Sequence, residues 1–412
     1  MGLKDIHPRT PVRSLSNNYS ELELGREFPI GLVAALSGMQ PAFIQRVLGK
    51  RSNSVRFADV LILLDQDAYS ETFVPRSLIP NYLLKTTPVQ VESIQVFQSE
   101  ERHTLIQGDA KKLIPSLPDN FVNCVVTSTP YWGMRLYDQL VETEWADGEI
   151  CALGYEQTPE AFIRHSVEIL YYLKRVLSKD GSIWWNLMDT YNTRTQIRVN
   201  AAETLRAMNG KDPRGWKDYE CRRYSAGHSF LFDGEQCMIP SRVAERASRI
   251  GHWVKSIIYW KKEGSMPETV SSRVTREAET IMHFSLQRAP YFDKNAYREL
   301  PQSLGGRNSK FEAGKVTDIW CLPTATGKDG HGAQFPLAFP ARCIALSTRE
   351  NDVVLDPFIG SGTTSLAAAK LNRRSIGFDI SAEYLETARR RLIEEAHSSI
   401  EDDKSHIQAN LF

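Results

Sequence analysis

Short apolar runs alternate with helical patterns along most of the chain after residue 92. Apolar runs of roughly four to eight residues, bounded by turn residues, are typical of buried strands. They predict strands at 103–107, 122–126, 182–187, 253–260, 279–286, 353–356 and 375–379. Apolar positions at helical spacing predict helices at 111–117, 158–177, 241–251, 335–346, 363–371 and 382–396, with a turn at Asp180-Gly181. This pattern indicates an α/β protein.

Residues 1–92 differ from the rest and predict a helical N-terminal domain. Residues 32–36 and 41–48 are separated by Ser37-Gly38-Met39, and Val55–Leu64 continues as a third apolar helix. One interpretation is a small bundle packed on the main body. The other is a helix-turn-helix that directs Gln40, Gln45, Arg46, Lys50 and Arg51 toward DNA. A linker is expected around residues 75–88, a main domain over 93–396, and a flexible tail at 397–412.

The composition is that of a globular protein with a large core. The chain has 412 residues, of which 42% are hydrophobic and 24% charged. No apolar run approaches the roughly 20 residues of a membrane span, so we expect a cytoplasmic protein without membrane contact. The six cysteines form no CxxC pair, so we expect no metal site and no disulfide framework. No Pro-Cys dipeptide occurs, which argues against a cysteine nucleophile for C5 methylation of cytosine.

The formal net charge is zero, but positive charge is concentrated in one region. Residues 186–262 contain fourteen Lys and Arg against eight Asp and Glu, interleaved with aromatic residues. Cations and aromatics in one surface are typical of polynucleotide binding, although an ordinary solvated face has the same composition. Residues 190–240 are weakly periodic and long for a loop, and residues 291–330 are irregular, so we expect recognition insertions at about 190–250 and 291–330.

The predicted strand at 122–126 leads into Ser128-Thr129-Pro130-Tyr131. In open α/β sheets, ligands bind at the carboxyl ends of strands. A hydroxyl, a rigid backbone carbonyl and an aromatic ring in one cleft suit methylation of the exocyclic amino group of a nucleobase. Ser128 and a carbonyl near Thr129 or Pro130 would accept the amino hydrogens, and Tyr131 would stack on a flipped base. The same residues would also serve as a simple turn after a strand.

A glycine turn at 356–364 joins the predicted strand 353–356 to a helix. Such a turn lets backbone approach a ligand closely, and Asp379, after the next strand, would hold ribose hydroxyls. No Walker lysine follows, so a phosphate-binding role is excluded and binding of a nucleoside is expected. Because only two strands follow residue 352, the other strands must come from upstream and the sheet must be permuted. We expect the strand ending at Asp109 to lie beside the glycine turn, with Ser128 one strand further.

This combination resembles the amino-methylating DNA methyltransferases of the permuted β class, in which the catalytic motif precedes the cofactor motif. The resemblance spans roughly residues 103–392, and Thr129 and Gly332 stand where the family has proline. Trp260-Lys261, Pro267, Arg273 and Glu279 are similar to the stretch before the family's recognition region. The matching motifs are Gly108-Asp109, Ser128-Thr129-Pro130-Tyr131, His331-Gly332-Ala333-Gln334-Phe335-Pro336, the turn from Asp356 to Thr363, and Gly377-Phe378-Asp379.

The resemblance implies a circularly permuted Rossmann-like methyltransferase fold with a mostly parallel seven-stranded sheet, and S-adenosyl-L-methionine as cofactor. Ser128, Thr129, Pro130 and Tyr131 would be catalytic. The cofactor would be bound by Asp109, His331, Phe335, Pro336, Asp356, Phe358, Gly360, Gly362, Thr363 and Asp379. Candidate DNA contacts are Arg194, Arg198, Arg222, Arg223, Lys261 and Arg273.

A serine at the start of the catalytic motif is similar to family members that methylate cytosine N4. We therefore expect a site-specific cytosine-N4 methyltransferase acting on double-stranded DNA, as in restriction-modification systems. A separate restriction endonuclease is a candidate partner, and the chain would be a monomer or a weak dimer. The alternatives are adenine-N6 methylation, methylation of RNA or a small molecule, and a DNA-binding regulator with an inactive methylase fold.

Overall fold

The structure is a computed structural model in which a large central sheet holds the molecule together. It describes residues 19–37, 39, 41–49, 52–65, 83, 95–100, 102–133, 141–146, 149–156, 158–192, 195–197, 221–223, 231–232, 234–263, 271–305, 315–323 and 335–395. Within these ranges, no helix has the length and apolar character that crossing a membrane requires.

All seven predicted strands are present, and the structure describes eight further strands. The strands are β1 (Glu27–Pro29), β2 (Ser54–Arg56), β3 (Gln95–Glu100), β4 (His103–Gln107), β5 (Val122–Ser128), β6 (Thr143–Glu144), β7 (Ile150–Cys151), β8 (Leu177–Leu187), β9 (Thr195–Ile197), β10 (Cys221–Arg223), β11 (Trp253–Glu263), β12 (Ala278–Ser285), β13 (Ile319–Pro323), β14 (Val353–Asp356) and β15 (Arg374–Asp379).

The central sheet has the order β13-β11-β12-β8-β5-β14-β15-β4-β3. The five strands from β8 to β4 run parallel, which confirms the mostly parallel α/β sheet. The hairpin β11–β12 joins β8 in antiparallel fashion. The expected seven strands are too few, because β3 and β13 extend the two edges to nine. β3 has only two apolar residues, Val96 and Phe97, whereas β13 contains the apolar run 319–322 inside a segment that was predicted to be an insertion.

Helices cover both faces of the sheet, and α6 begins as predicted, with the Thr158 hydroxyl capping the Ala161 N–H at 3.2 Å. The helices are α1 (Glu21–Gly25), α2 (Ile30–Ser37), α3 (Pro41–Leu48), α4 (Phe57–Asp65), α5 (Ala110–Leu113), α6 (Pro159–Val176), α7 (Ile239–Arg249), α8 (Lys294–Glu299), α9 (Gln302–Gly305), α10 (Ala338–Ser347), α11 (Thr363–Lys370) and α12 (Ala382–Glu395).

The core lies in two main layers, because successive strand side chains point to opposite faces. Val125 and Trp185 pack with α5, α6 and α7, whereas Val126 and Trp184 pack with α8, α9, α10 and α11. A third cluster joins Leu105 and the glycine turn to α12. The sheet is therefore buried on both sides, and polar side chains at the strand ends are held on a rigid frame.

Two local predictions are wrong. The predicted helix Val55–Leu64 starts as β2, because Val55 pairs with Phe28 of β1, and α4 begins only at Phe57. The predicted turn at Asp180-Gly181 lies inside β8, which already starts at Leu177. Residues 178–181 bulge out of register there, since Val122 pairs with Leu177 and Cys124 with Ser182.

The N-terminal helices pack on the main body at α6. A side chain added to Gly31 in α2 would come within 3.0 Å of the Tyr171 ring of α6, and the cluster around α2, α3 and α4 includes Ala146. Of the residues proposed to face DNA, Gln40, Lys50 and Arg51 lie outside the described residues. The division at residue 92 and the flexible tail at 397–412 stay predictions, since the residues around both boundaries also lie outside.

Candidate active site

The polar groups predicted to act together lie along one edge of the sheet, at the ends of neighbouring strands. From β4 toward β5 they are Asp109, Asp379, the glycine turn and Ser128. The expectation that the Asp109 strand adjoins the glycine turn is wrong, because β15 lies between them. The Gly108 N–H donates to the Asp379 carbonyl oxygen at 2.9 Å, which joins these two strand ends. Ser128 lies on the other side of β14.

A hydrogen bond joins the two motifs, which are more than two hundred residues apart in the chain. The Thr127 hydroxyl donates to Asp356 Oδ1 at 2.7 Å, and the Thr364 hydroxyl donates to Oδ2 at 2.6 Å. Asp356 is fully buried, and burial raises its pKa to about 6 although the two threonines lower it. Asp356 therefore ties the glycine turn to β5, and a direct cofactor contact stays a prediction.

The two glycines of the turn, Gly360 and Gly362, have different surroundings. At Gly360 the backbone φ is +50°, and a side chain there would meet nothing within 4 Å. At Gly362, φ is +85° and a side chain would lie 2.6 Å from the Ala388 Cβ of α12. Gly362 is thus needed for packing, whereas Gly360 leaves an open backbone surface. That open surface, beside a carboxylate, fits a nucleoside cofactor.

Asp379 is bonded to the same turn and is only partly buried. Its carboxylate accepts from the Gly360 and Ser381 N–H groups, both at 2.9 Å. Burial raises its pKa to about 6, and the backbone donors oppose the shift. Both oxygens keep a lone pair for a further donor, as binding of ribose hydroxyls requires.

The other predicted cofactor residues have varied surroundings. Asp109 caps α5 through the Lys111 N–H at 2.9 Å and also accepts from the Thr143 hydroxyl. The Thr363 hydroxyl contacts Arg391 at 3.2 Å, which turns it toward α12. Phe358 is partly buried and stands edge-on to Trp185 with 6.4 Å between ring centroids.

The segment that contains the predicted cofactor residues His331, Phe335 and Pro336 is described in part. His331 lies outside the described residues. Phe335 packs edge-on against Phe339 with 5.0 Å between ring centroids, and Pro336 is buried just before α10. The next residue, Leu337, packs with the cluster that contains Ile359 of the glycine turn. Residues 335–337 therefore lie beside that turn.

Ser128 ends β5, and its side chain is partly exposed. Its hydroxyl lies 3.1 Å from the Tyr131 hydroxyl. The corner is tightly supported, because a side chain at Gly154 would come within 3.2 Å of the Tyr131 carbonyl oxygen and 3.3 Å of Pro130 Cβ. Thr129 is buried, and its hydroxyl has no hydrogen-bond partner among the described residues.

Two buried side chains continue the network behind Ser128. Asn186 pairs with Ser128 in the sheet, and the two hydrogens of its Nδ2 are donated to the Tyr131 hydroxyl at 2.8 Å and to Glu279 Oε2 at 2.5 Å. Ser128 Oγ lies 3.3 Å from the same nitrogen. The Tyr131 hydroxyl donates to the same Glu279 oxygen, and Lys262 forms an ion pair with Oε1.

Asn186, Glu279 and Lys262 are missing from the site residues predicted from the sequence. Asn186 is the last polar residue of an apolar strand, as Ser128 is, and that position could have revealed it. Glu279 was named in the sequence analysis only as part of the stretch that resembles the one before the family's recognition region, and no role was assigned to it. Lys262 offers no such signal, because charged residues are common at the ends of exposed hairpins.

The predicted DNA contacts are described unequally. Lys261 is exposed on β11. The Arg273 guanidinium lies 3.6 Å from the Tyr191 ring centroid and donates to the Gly234 carbonyl oxygen at 2.8 Å, so Arg273 supports the start of the insertion. Arg194, Arg198 and the side chains of Arg222 and Arg223 lie outside the described residues.

The first insertion leaves the sheet and returns at one point. The Asn192 N–H donates to the Glu235 carbonyl at 2.7 Å, and the Gly234 N–H donates to the Asn192 carbonyl at 2.6 Å. The Asp189 carboxylate accepts from the Met238 and Ile239 N–H groups at 3.0 and 2.9 Å. The two ends of the insertion are therefore fastened together just beyond β8.

Comparison with known proteins agrees with this architecture. A family model described as DNA methylase, of the N6 and N4 methyltransferases, matches residues 122–390. The type II methyltransferase M.Cfr9I of Citrobacter freundii is 32% identical over 314 residues, which cover 74% of this chain and 94% of that protein. M.XycI of Xanthomonas campestris pv. cyanopsidis is 32% identical over 289 residues, covering 70% and 87%.

A solved structure shares the fold. The PvuII DNA methyltransferase, named as cytosine-N4-specific, has a TM-score of 0.50 and 18% identity, and the match covers 74% of this chain and 91% of that one. The family match spans both the Ser128 corner and the glycine turn. The chain belongs to the N6 and N4 DNA methylase family, and it is a DNA methyltransferase that uses S-adenosyl-L-methionine.

Proposed function

We propose that this chain methylates the N4 amino group of cytosine at a specific sequence in double-stranded DNA. The observation that supports cytosine N4 is Ser128, a partly exposed hydroxyl at the strand end beside the glycine turn. The lone pair of a cytosine amino nitrogen is delocalised into the ring. Acceptors for its hydrogens hold the nitrogen in line with the methyl group and let the lone pair form the new bond.

The residues of the corner have separate roles in this proposal. Ser128 accepts one amino hydrogen, and the carbonyl of Thr129 or Pro130 accepts the other. Tyr131 stacks on the base after it is flipped out of the duplex. Asp379, Asp109 and the open backbone at Gly360 hold the cofactor, which supplies the methyl group.

DNA binding is proposed for the two insertions. The duplex would lie across the cleft between the sheet edge and segments 190–250 and 291–330. Lysines and arginines there would contact phosphates, and a few side chains would read base edges. The excess of positive charge within residues 186–262 supports this placement.

The biological setting is proposed from the relatives, which are named as type II methyltransferases. The chain would protect host DNA in the cytoplasm, act as a monomer or weak dimer, and have a separate restriction endonuclease as partner. Light scattering of the purified chain with and without duplex DNA tests the oligomeric state.

The test of base choice is chemical. Purified chain is incubated with S-adenosyl-L-methionine and unmethylated duplex DNA, and the DNA is digested to nucleosides for mass spectrometry. We expect N4-methylcytosine. N6-methyladenine would overturn the choice of base, and DNA binding without any methylated nucleoside would favour the inactive regulator.

A further inference from the structure

Methylation of an amino group leaves a surplus proton that the Ser128 hydroxyl cannot keep. As the nitrogen lone pair bonds to the methyl carbon, the carbon–sulfur bond of the cofactor breaks and its electrons go to sulfur. The nitrogen must then lose one hydrogen as a proton. A neutral serine is a very weak base, so another group has to take that proton.

The hydrogen bonds behind Ser128 have one allowed direction. A carboxylate only accepts, so the Tyr131 O–H must donate to Glu279 Oε2, and the amide nitrogen of Asn186 must face the same oxygen. Because the single Tyr131 proton is used in that bond, Ser128, 3.1 Å away, must donate to the Tyr131 oxygen, which also accepts from Asn186 Nδ2. The Ser128 proton thus points inward, and a lone pair of its oxygen stays available to the substrate amino group.

The carboxylate at the end of this chain is buried but compensated. Glu279 is 6% exposed and Asn186 is fully buried. Lys262 of β11 forms an ion pair with Oε1, which leaves Oε2 for Tyr131 and Asn186. Among the described residues, Lys262 and Tyr131 are the charged and titratable groups bonded to Glu279. This arrangement keeps an acceptor inside the protein, away from water.

We propose that Glu279 is a positioning residue that acts on Ser128 through Tyr131 and receives the proton released by methyl transfer. The amino proton moves to Ser128 Oγ as the Ser128 proton moves to Tyr131 and the Tyr131 proton moves to Glu279. The products are a methylated amine, a neutral Glu279 side chain and hydroxyls restored on both intermediates. This inference rests on the proposed amino methylation, whichever amino-bearing base is the target.

Two variants interrupt the relay at different points while preserving shape. Glu279→Gln keeps an oxygen that accepts from Tyr131 but cannot take a proton at neutral pH. Tyr131→Phe keeps the ring and removes the hydroxyl. In single-turnover assays with radiolabelled S-adenosyl-L-methionine and unmethylated duplex DNA, we expect each to slow methyl transfer by about a hundredfold. The dissociation constants for cofactor and DNA should stay within about twofold of the wild type.

Further measurements separate the relay from a structural role. The double variant should be no more than about twofold slower than the slower single variant, because both substitutions break one chain. Glu279→Asp should recover part of the rate. The matched control is Glu277→Gln, an exposed acid two residues away, which should behave as wild type.

The outcomes distinguish this inference from the proposed function. If wild type methylates no amino group in DNA, the proposed function fails. If wild type is active and Glu279→Gln methylates at the wild-type rate, the relay is wrong. A Glu279→Gln defect confined to cofactor or DNA binding would also overturn it. If Glu279→Gln does not fold, Tyr131→Phe decides, and an unchanged rate in that variant overturns the relay.

Discussion

At the residue scale, the chemistry depends on whether each polar atom donates or accepts a hydrogen bond. Ser128 alone could donate or accept, but the Tyr131 and Asn186 contacts leave it an acceptor toward the cleft. Asp356 and Asp379 also differ in their hydrogen-bond partners. The Asp356 carboxylate accepts from two buried threonine hydroxyls, whereas the Asp379 carboxylate keeps lone pairs available at the edge of the sheet.

Ser128→Ala should reduce methyl transfer by at least about a hundredfold, because it removes the acceptor for the amino hydrogen. Cofactor affinity should not change, since Ser128 lies one strand away from the turn that we propose to bind the cofactor. Single-turnover assays and calorimetry with S-adenosyl-L-methionine measure the two effects. Ser116→Ala, in the turn after α5, is the matched control. An equal loss of cofactor binding would contradict the role given to Ser128.

Cofactor affinity should fall below about pH 6, where Asp379 becomes protonated. Protonation removes an acceptor for the ribose hydroxyls, so the dissociation constant should rise by about tenfold per pH unit. Asp379→Ala should bind the cofactor weakly and without this pH dependence. Calorimetry between pH 5 and pH 8 measures both, and an affinity independent of pH in the wild type would contradict the assignment.

The raised pKa values affect folding in the opposite direction: acid pH should weaken cofactor binding but stabilise the folded chain. The pKa values of Asp356 and Asp379 are raised from 3.8 to about 6, so the folded chain binds more protons than the unfolded chain between those pH values. The contribution of the two acids to stability is therefore fully present below about pH 4 and is lost as pH rises through about 6. These acids are kept at a cost in stability, which is consistent with a functional need.

At the element scale, one strand-to-helix connection contains both a glycine required for packing, Gly362, and a glycine proposed to contact the cofactor, Gly360. The pattern of apolar residues was sufficient to predict β14, α11 and β15 within one residue or so, because these elements are short, regular and bounded by clear turn residues. It failed at β2, where a helical apolar pattern starts with a residue paired to β1. It failed again at residues 178–181, where a bulge replaced a turn.

Two substitutions should separate the work of the two glycines. Gly362→Ala places a methyl group 2.6 Å from Ala388 at a positive φ, so it should lower the free energy of unfolding by about 2–4 kcal/mol. The added methyl group of Gly360→Ala meets open space, so this substitution should lower the free energy of unfolding by only about 1 kcal/mol. It should weaken cofactor binding more than Gly362→Ala does. Denaturant unfolding and calorimetry measure the pair. Equal losses of stability would contradict the division.

At the scale of the whole molecule, the permuted order is the central feature. The corner at Ser128 and the turn at Gly360 meet because β5 and β14 are neighbours, and the Thr127–Asp356 hydrogen bond joins them. The sequence predicted that both motifs lie on one sheet, because only two strands follow residue 352 and the other strands must come from upstream. It did not predict that β5 is the neighbour of β14, since the Asp109 strand was expected beside the glycine turn. The Asn186, Glu279 and Lys262 network was not predictable either, because it depends on the register of β8, β11 and β12, which apolar patterns do not specify.

Removal of the first insertion should separate cofactor binding from DNA binding. The Gly234 N–H donates a hydrogen bond to the Asn192 carbonyl, as across a tight turn. An added Asn-Gly dipeptide between these two residues can therefore replace residues 193–233. The shortened chain should bind S-adenosyl-L-methionine as the full chain does. Its affinity for duplex DNA should fall by at least about tenfold at 100 mM salt, because it would lose the phosphate contacts that we propose for this insertion. Fluorescence anisotropy with labelled duplex measures this, and unchanged DNA affinity would contradict the placement of the DNA.

The central claim is tested most directly in a host that lacks amino methylation of its own DNA. Genomic DNA from cells that express the chain is sequenced with a readout sensitive to N4-methylcytosine, beside cells that express Ser128→Ala. We predict N4-methylcytosine at one recurrent sequence throughout the genome, and none in cells with the variant. Methylated adenine at that sequence, or the same N4-methylcytosine with Ser128→Ala, would contradict the account.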